Sequence, residues 1–211
     1  ILMSDFLPAL QRVHKKRFLM VGLRRDLVLN EPVDFEDAQW ELLLRKRLAE
    51  HGKLHPPGGG GDYFIFYPGL FDNIPPFAIG RGAWDNWLIY RARSLKTPVI
   101  DATKAFINVH QNHDYSHVQI RDSDLWKGPE SEHNLELMGG KDRFFTTEYA
   151  THLLTPQGLK PALTPRLIYF RMRALPVLYP NFRFFLALFK VFEKLVRTVR
   201  PIRTTSGLPG K

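Results

Sequence analysis

The chain contains no cysteine among its 211 residues. This absence excludes disulfide bonds, thiolate nucleophiles and zinc sites built on cysteine. It also has no internal repeat, and its low-complexity sequence is confined to the turn "PPGGGG" at 56–61. The chain has 44% hydrophobic and 13% aromatic residues. This composition and the chain length are typical of one folded domain with a sizeable core, either alone or with an appended segment.

A recognisable targeting signal is also missing from the start of the sequence. No basic stretch followed by an apolar core and a small-residue cleavage site lies near Ile1. We therefore expect any targeting segment to lie upstream of this chain, and the compartment is not indicated.

Acids are nearly absent from the last quarter of the chain. Residues 160–211 contain eleven Lys or Arg and a single acid, Glu193, which gives this region a formal net charge of +10. The rest of the chain has a net charge of −1, so the total of +9 comes from this region. At 100° per residue, the bases at 183, 190, 194 and 197 form a narrow stripe beside a wide apolar face. The pattern predicts a basic amphipathic helix at 182–200, too interrupted by charges to span a bilayer. It suits either the plane of an anionic membrane surface or packing against the domain.

RNA binding is the weakest explanation of this basic region. It lacks an aromatic and basic strand motif of the RRM type. We therefore expect no nucleic-acid partner.

Composition separates the chain into regions. We predict a folded domain for the first region, a proline-rich connector with five prolines for the second, the basic amphipathic helix for the third and a disordered tail for the last. Their bounds are 1–155, 156–181, 182–200 and 201–211.

Strands alternating with helices predict an α/β fold for the first region. "RFLMVGLRRDLVL" predicts one or two strands with Gly22 as a bend or bulge, and 34–52 predicts a helix with Asp34 as N-cap and Gly52 as its stop. "YFIFY" predicts a strand with Asp62 at its entrance. A helix beginning near Trp84, a strand at 98–100 and an extended run at 105–109 complete the pattern.

The segment "HQNHDYSH" at 110–117 concentrates three of the eight histidines. A helix would place His110, His113 and His117 on one face, and a loop could bring two of them and Asp114 onto one metal ion. The spacing matches no zinc motif, and Asn, Asp and Ser favour turns. A metal site and a polar loop bonded to the backbone both remain open.

The segment "IGRGAWDNWLIYRA" at 79–92 places Asp85 in the first turn of a predicted helix. The helix dipole favours its charged form, so we expect a low pKa. Trp84 and Trp87 can supply flat apolar walls to a substrate site, or they can be core residues while Asp85 serves only as a cap.

Four segments occur in a characteristic order and spacing: "GDYFIFYPGLF", "IPPFAIGRGAWDNWLIYRA", "PVIDAT" and "HQNHDYSH". Together they resemble the C-terminal half of glycosyltransferase-like proteins of the nucleotide-diphospho-sugar transferase superfamily, across roughly residues 1–150. The resemblance implies a partial Rossmann-like sheet of the glycosyltransferase A type, covered by helices. The C-terminal region adds the amphipathic helix.

The resemblance implies transfer of a sugar from a nucleotide-diphospho-sugar donor to a hydroxyl of a carbohydrate or other acceptor. Asp85 matches the general base that takes the proton of the attacking hydroxyl. His110 or His113 matches a ligand of the divalent cation, Mn or Mg, on the donor diphosphate. The candidate substrate-binding residues around them are Asp62, Tyr63, Arg81, Trp84, Asn86 and Trp87.

The sequence departs from the family pattern at its start. The family's carboxylate motif for metal and nucleotide would precede Ile1, and Asp5 lies too late and is expected to cap the next helix. We therefore expect the principal metal ligand and the nucleotide-binding half upstream, and a fragment of this kind can be inactive alone.

Two alternatives belong to other classes. One is a non-catalytic membrane-surface or scaffold protein that keeps the fold, and the other is a metal-dependent hydrolase built on the histidines. A peripheral position, on a cytoplasmic or a lumenal membrane surface, suits the basic helix.

Overall fold

The computed structural model describes residues 1–56, 61–112 and 128–182. These residues form five α-helices and eight strands, with short 3₁₀ turns between some of them. In chain order the elements are α1 Phe6–Gln11, β1 Leu19–Leu23, β2 Arg25–Leu27, α2 Trp40–His51, β3 Lys53–Leu54, β4 Gly61–Phe66, α3 Trp84–Ser94, β5 Val99–Asp101, β6 Val109–Gln111, α4 Pro129–Met138, β7 His152–Thr155, β8 Gly158–Pro161 and α5 Pro165–Leu178.

The main sheet has five strands in the order β4-β1-β5-β7-β8. Its central strands β1, β5 and β7 are parallel, and the edge strands β4 and β8 are antiparallel to their neighbours. Helices flank this mixed sheet, so the predicted α/β class is confirmed. The parallel centre also explains why "FLMVGL" is an uninterrupted apolar run, since both faces of β1 are buried.

A second, three-stranded sheet has the order β3-β2-β6. Strand β2 follows β1 after the single residue Arg24, so one chain segment supplies a strand to each sheet. The register of β1 against β4 shifts between Val21 and Leu23, which confirms the predicted irregularity at Gly22. A Cβ at Gly22 would lie 2.0 Å from the Tyr63 hydroxyl oxygen, so the close approach of that side chain requires glycine.

The core lies on both faces of the main sheet. On one face Leu19 and Val21 pack with buried residues of α3 and α5, and on the other Met20 and Ile100 pack with Ala9 of α1. The main sheet is thus covered by α3 and α5 on one side and by α1 on the other.

The expected start of the helix at Asp34 is wrong. Helix α2 begins at Trp40 and not after Asp34, because the Asp34 carboxylate accepts the backbone N–H of Glu36 in a local turn that competes with helix. The predicted stop at Gly52 is confirmed.

Asp5 directly precedes α1 but makes no capping hydrogen bond within that helix. Its carboxylate accepts the backbone N–H of Ile107 at 3.3 Å and pairs with Arg45 at 3.4 Å. Asp5 therefore occupies the expected N-cap position of α1, and its side chain joins the helix to distant segments.

The predicted boundary between 155 and 156 falls between two strands that pair with each other, β7 and β8. The proline-rich segment 156–181 contains β8 and α5, and Tyr169, Phe170 and Ala174 of α5 are buried in the core. Helix α5 accommodates Pro165 at its start, where a missing N–H costs nothing, and also contains Pro176.

The predicted amphipathic helix at 182–200 lies, beyond its first residue, outside the described part of the chain. The same holds for the predicted tail at 201–211, so both stay predictions. Among the described helices, none has the length and apolar character needed to cross a membrane.

Candidate functional site

The candidate site lies at the carboxyl ends of the parallel strands. Strand β1 ends at Leu23 and β5 ends at Asp101, and the two are adjacent and parallel. In open α/β sheets ligands bind in the crevice outside this edge. Polar and charged side chains that follow these strands are therefore placed where binding chemistry is expected.

Five charged and imidazole side chains form one connected chain at this edge, here called the Arg24 network. The Arg24 guanidinium binds two carboxylates, with Nε 2.8 Å from Asp26 Oδ1 and Nη1 3.0 Å from Asp62 Oδ1. The second oxygen of each carboxylate contacts a histidine, at 3.0 Å between Asp26 and His55 Nδ1 and at 2.7 Å between Asp62 and His110 Nδ1. An ionised carboxylate only accepts, so each Nδ1 carries the proton that it donates.

Strand pairing explains why these residues meet. Arg24 links β1 to β2, and Asp26 follows it by two positions on the same side of the strand. Asp26 lies opposite His110 of the parallel strand β6, and the other neighbour, β3, leads into His55. Asp62 arrives from β4, the antiparallel partner of β1.

The electrostatics favour the charged forms of Arg24 and Asp26. Burial opposes the charge of Arg24, but the hydrogen bonds and charges of Asp62 and Asp26 outweigh it and raise the Arg24 pKa further above neutral. Burial also opposes the charge of Asp26, and hydrogen bonds from His55 and Arg24 outweigh it and lower the Asp26 pKa. The side chains of the network keep only 20–25% of their exposure, so solvent screens these contacts incompletely.

Asp85 lies within electrostatic reach of Arg24, in the first turn of α3. Burial raises the pKa of Asp85 to about 6, against the opposing effect of backbone hydrogen bonds from Asn86 and Asp85 and of the Arg24 charge. The expectation of a low pKa is therefore wrong, because desolvation outweighs the helix dipole and the hydrogen bonds. A carboxylate with this pKa is suited to accept a proton near neutral pH.

Tyr63 and Asp101 form a neighbouring pair at the same edge of the sheet. Burial raises the pKa of Asp101 even though Thr103 donates two hydrogen bonds to it, from its N–H at 2.9 Å and from its hydroxyl at 2.5 Å. Burial and the nearby Asp101 charge also raise the Tyr63 pKa. The Tyr63 ring packs on Phe106 with centroids 4.9 Å apart, so its body belongs to the core.

Three of the predicted substrate-binding residues hold α3 in place. Trp87 is buried and packs against Phe71 and Phe77, with ring centroids 6.0 and 5.5 Å away. The Asn86 side chain is buried and donates to the Phe145 carbonyl at 2.9 Å. Trp84 packs on another aromatic ring, Phe64, at 5.5 Å.

Hydrogen bonds hold the loop before α3 against α4. Arg81 Nε donates to Glu130 Oε2 at 2.7 Å. The buried Asn134 side chain accepts the Ala78 N–H at 2.8 Å and donates to the carbonyls of Ala78 and Gly82 at 2.9 and 3.0 Å. Helix α4 thereby fixes the backbone that leads into Asp85.

The structure thus brings together three of the predicted site residues: Asp62 and His110 in direct contact, and Asp85 near the arginine that binds Asp62. Arg24, Asp26 and His55 were missed from the sequence. The available signal was the charged run "RRD" at 24–26, which breaks an otherwise apolar strand region. His113 lies in 113–127, outside the described residues.

The described residues do not by themselves make a metal site. Across residues 1–56, 61–112 and 128–182 there is no group of three or more His, Asp or Glu side chains arranged to hold an ion. Both Asp62 oxygens are engaged, one by Arg24 and the other by His110. Asp62 is therefore not assigned as a metal ligand. Of the two histidines that the resemblance implies as ligands of the cation, His110 is the one that lies within the described residues.

Comparison of the chain with protein-family models, curated proteins and solved structures found no match. The likeness to glycosyltransferase-like proteins therefore rests on the four sequence segments. The functional argument has to be made from the geometry of the site.

Proposed function

We propose that this chain forms the acceptor-side part of a glycosyltransferase with the glycosyltransferase A fold, acting on a nucleotide-diphospho-sugar donor and an acceptor hydroxyl. One observation carries the proposal. Asp62, Asp85 and His110 come from three separate sequence segments that the resemblance marks as functional; His110 and Arg24 both contact Asp62, and the Arg24 charge reaches Asp85. Their convergence at the carboxyl edge of the parallel strands supports a shared site.

In the proposed reaction an acceptor hydroxyl attacks the anomeric carbon of the donor. A new carbon–oxygen bond forms, the bond from that carbon to the diphosphate breaks, and the nucleoside diphosphate leaves with the electron pair. Asp85 takes the hydroxyl proton. With a pKa of about 6 it is largely ionised at neutral pH and still basic enough to accept the proton.

The remaining residues of the site bind and orient. Asp62 lies 2.7 Å from His110 Nδ1 and so fixes the orientation of the ring. Such a carboxylate–histidine arrangement is common behind metal-ligating histidines. The proposal therefore assigns His110 as one ligand of a Mn or Mg ion, which would neutralise phosphate charge of the donor when bound.

Cation-dependent donor binding tests the assignment of His110. Isothermal titration of the natural full-length protein with a panel of uridine and guanosine diphospho-sugars, with and without Mn, identifies the donor. His110→Ala should weaken Mn-dependent donor binding about 10-fold or more, since loss of a ligand or of its support typically has this effect. The matched control, His133→Ala, removes an exposed histidine of α4 and should leave binding unchanged. Equal binding by both variants would refute the role of His110.

A further inference from the structure

Helix α5 has apolar side chains on two opposite faces. Tyr169, Phe170 and Ala174 point into the core and are buried. On the opposite side Ile168, Met172 and Leu175 keep 41%, 40% and 38% of their exposure. A helix that only covers a sheet normally shows polar residues on its outer side, so this second apolar face calls for an explanation.

The exposed residues form a continuous stripe. Positions 168, 172, 175 and 179 follow the spacing of one helix face, and exposed apolar residues extend the stripe at both ends. Single exposed apolar residues are ordinary, but a contiguous apolar patch marks an interaction surface. The outer face of α5 consists of Ile168, Met172 and Leu175, and the exposed apolar residues Leu163, Tyr179 and Phe182 lie just beyond the two ends of the helix.

The chain segment that carries this face has charges of one sign. No Asp or Glu occurs between Glu148 and Glu193, while Lys160, Arg171 and Arg173 lie along the described part of this stretch. An apolar stripe beside bases alone is complementary to a surface with an apolar interior and anionic head groups. Tyr179 and Phe182, at the end of the stripe, are aromatic side chains suited to a membrane–water boundary.

We propose that the outer face of α5 contacts an anionic membrane surface. The helix lies in the plane of the membrane, with its apolar side chains at the boundary of head groups and acyl chains and with Arg171 and Arg173 near lipid phosphates. This proposal does not depend on sugar transfer, and it is also distinct from the prediction for 182–200. It assigns membrane contact to the folded domain itself.

The absence of cysteine makes a site-specific test possible. Met172→Cys in the full chain introduces a single thiol on the outer face, to which an environment-sensitive nitrobenzoxadiazole label is attached. The matched control, Leu42→Cys, places the same label on an exposed apolar position of α2. Each labelled protein is mixed with vesicles of phosphatidylcholine alone, or of equal parts phosphatidylcholine and phosphatidylserine, with and without nitroxide-labelled lipid.

The proposal predicts that phosphatidylserine vesicles raise and blue-shift the emission of the label at 172, that nitroxide lipid quenches it, and that the label at 42 changes little. A label at 172 that remains in water while the chain sediments with the vesicles would overturn the proposal, because the contact would then lie elsewhere. An emission rise that follows protein concentration without vesicles would also overturn it, in favour of a second copy on this face.

Unlabelled variants provide an independent readout. Ile168→Ser combined with Leu175→Ser should reduce co-sedimentation with phosphatidylserine vesicles several-fold, while Leu42→Ser combined with Leu43→Ser should not. All four positions are exposed, so both proteins should fold. Equal co-sedimentation of the two double variants would contradict the proposal.

Discussion

Arg24 is the residue on which the geometry of the site depends. It occupies the single position between β1 and β2 and binds one carboxylate from β2 and one from β4. Without it, two carboxylates would share a partly desolvated edge with no cation between them. The arginine therefore stabilises the fold and sets the positions of two carboxylate side chains at once.

Arg24→Ala should lower the free energy of unfolding by about 2 kcal/mol at neutral pH, the scale of hydrogen bonds to charged groups. The Asp26 pKa is lowered in the folded state, so its stabilisation is present above its unfolded pKa of 3.8 and is lost as pH falls below that value. Urea unfolding at pH 7 and pH 3 should therefore show a smaller effect of Arg24→Ala in acid. The exposed Arg91→Ala serves as control, and an effect independent of pH would count against the network.

Asp85 has the opposite sign of pH dependence. Its folded pKa of about 6 exceeds its ordinary value of 3.8, so the folded protein retains a proton that the unfolded chain has lost, and stability falls as pH rises from about 4 through 6. Asp85→Asn removes this loss in the free energy of unfolding, which is at most about 3 kcal/mol at neutral pH. The variant should unfold at a higher urea concentration than the wild type at pH 7 and equally at pH 4. A variant less stable than the wild type at pH 7 would contradict the shift.

At the scale of elements, α4 serves to hold the loop that leads into α3. Asn134 makes three hydrogen bonds to that loop, and it is fully buried. The position of Asp85 therefore depends on a residue that lies nearly fifty positions further along the chain.

Asn134→Ala should cost about 2 to 3 kcal/mol, because it leaves the Ala78 N–H and two carbonyls without this partner. Urea unfolding measures the loss, and His133→Ala on the exposed side of the same helix is the control. If the loop orients Asp85, the Asn134 variant should also lose transfer activity while it is still folded. A variant with normal stability would show that the loop is held by other contacts.

The elements were predictable and the site was only partly so. Three elements were marked in the sequence by a local hydrophobic pattern or a turn signal, and all three occur in the structure: the apolar run of β1, the "YFIFY" strand and the helix that begins at Trp84. The network could not be read in this way, because His55 and His110 reach Asp26 and Asp62 only through pairing of strands distant in sequence. The Asp85 pKa was predicted with the wrong sign because burial is not visible in a single helix turn.

At the scale of the whole molecule, the folded unit extends past the proline-rich segment. Tyr149, in a 3₁₀ turn, packs edge-to-face on Phe170 of α5 with centroids 5.1 Å apart, and both are buried with Phe145 in the core. The five prolines of 156–181 predict a connector, yet they coexist with a strand and a helix. Proline at a helix start and at a sheet edge is compatible with both elements.

Phe170→Ala should therefore destabilise the whole domain by about 3 kcal/mol, as for other buried phenylalanines. The control, Met172→Ala, changes the exposed side of the same helix and should have little effect. Thermal unfolding of the full chain distinguishes the two. A small effect of Phe170→Ala would mean that α5 is a separate appendage.

We propose that the side chains around Arg24, at the carboxyl edge of the parallel strands, catalyse sugar transfer with Asp85 as the general base. The most direct test is the rate of sugar transfer by the natural full-length protein with Mn or Mg, compared between wild type, Asp85→Asn and the exposed control Asp72→Asn. Asp85→Asn should lose about 100-fold or more in kcat, the usual contribution of a general base, and Asp72→Asn should keep wild-type activity. Transfer that is unchanged in Asp85→Asn, or absent from the wild type with every common donor, would contradict the proposal.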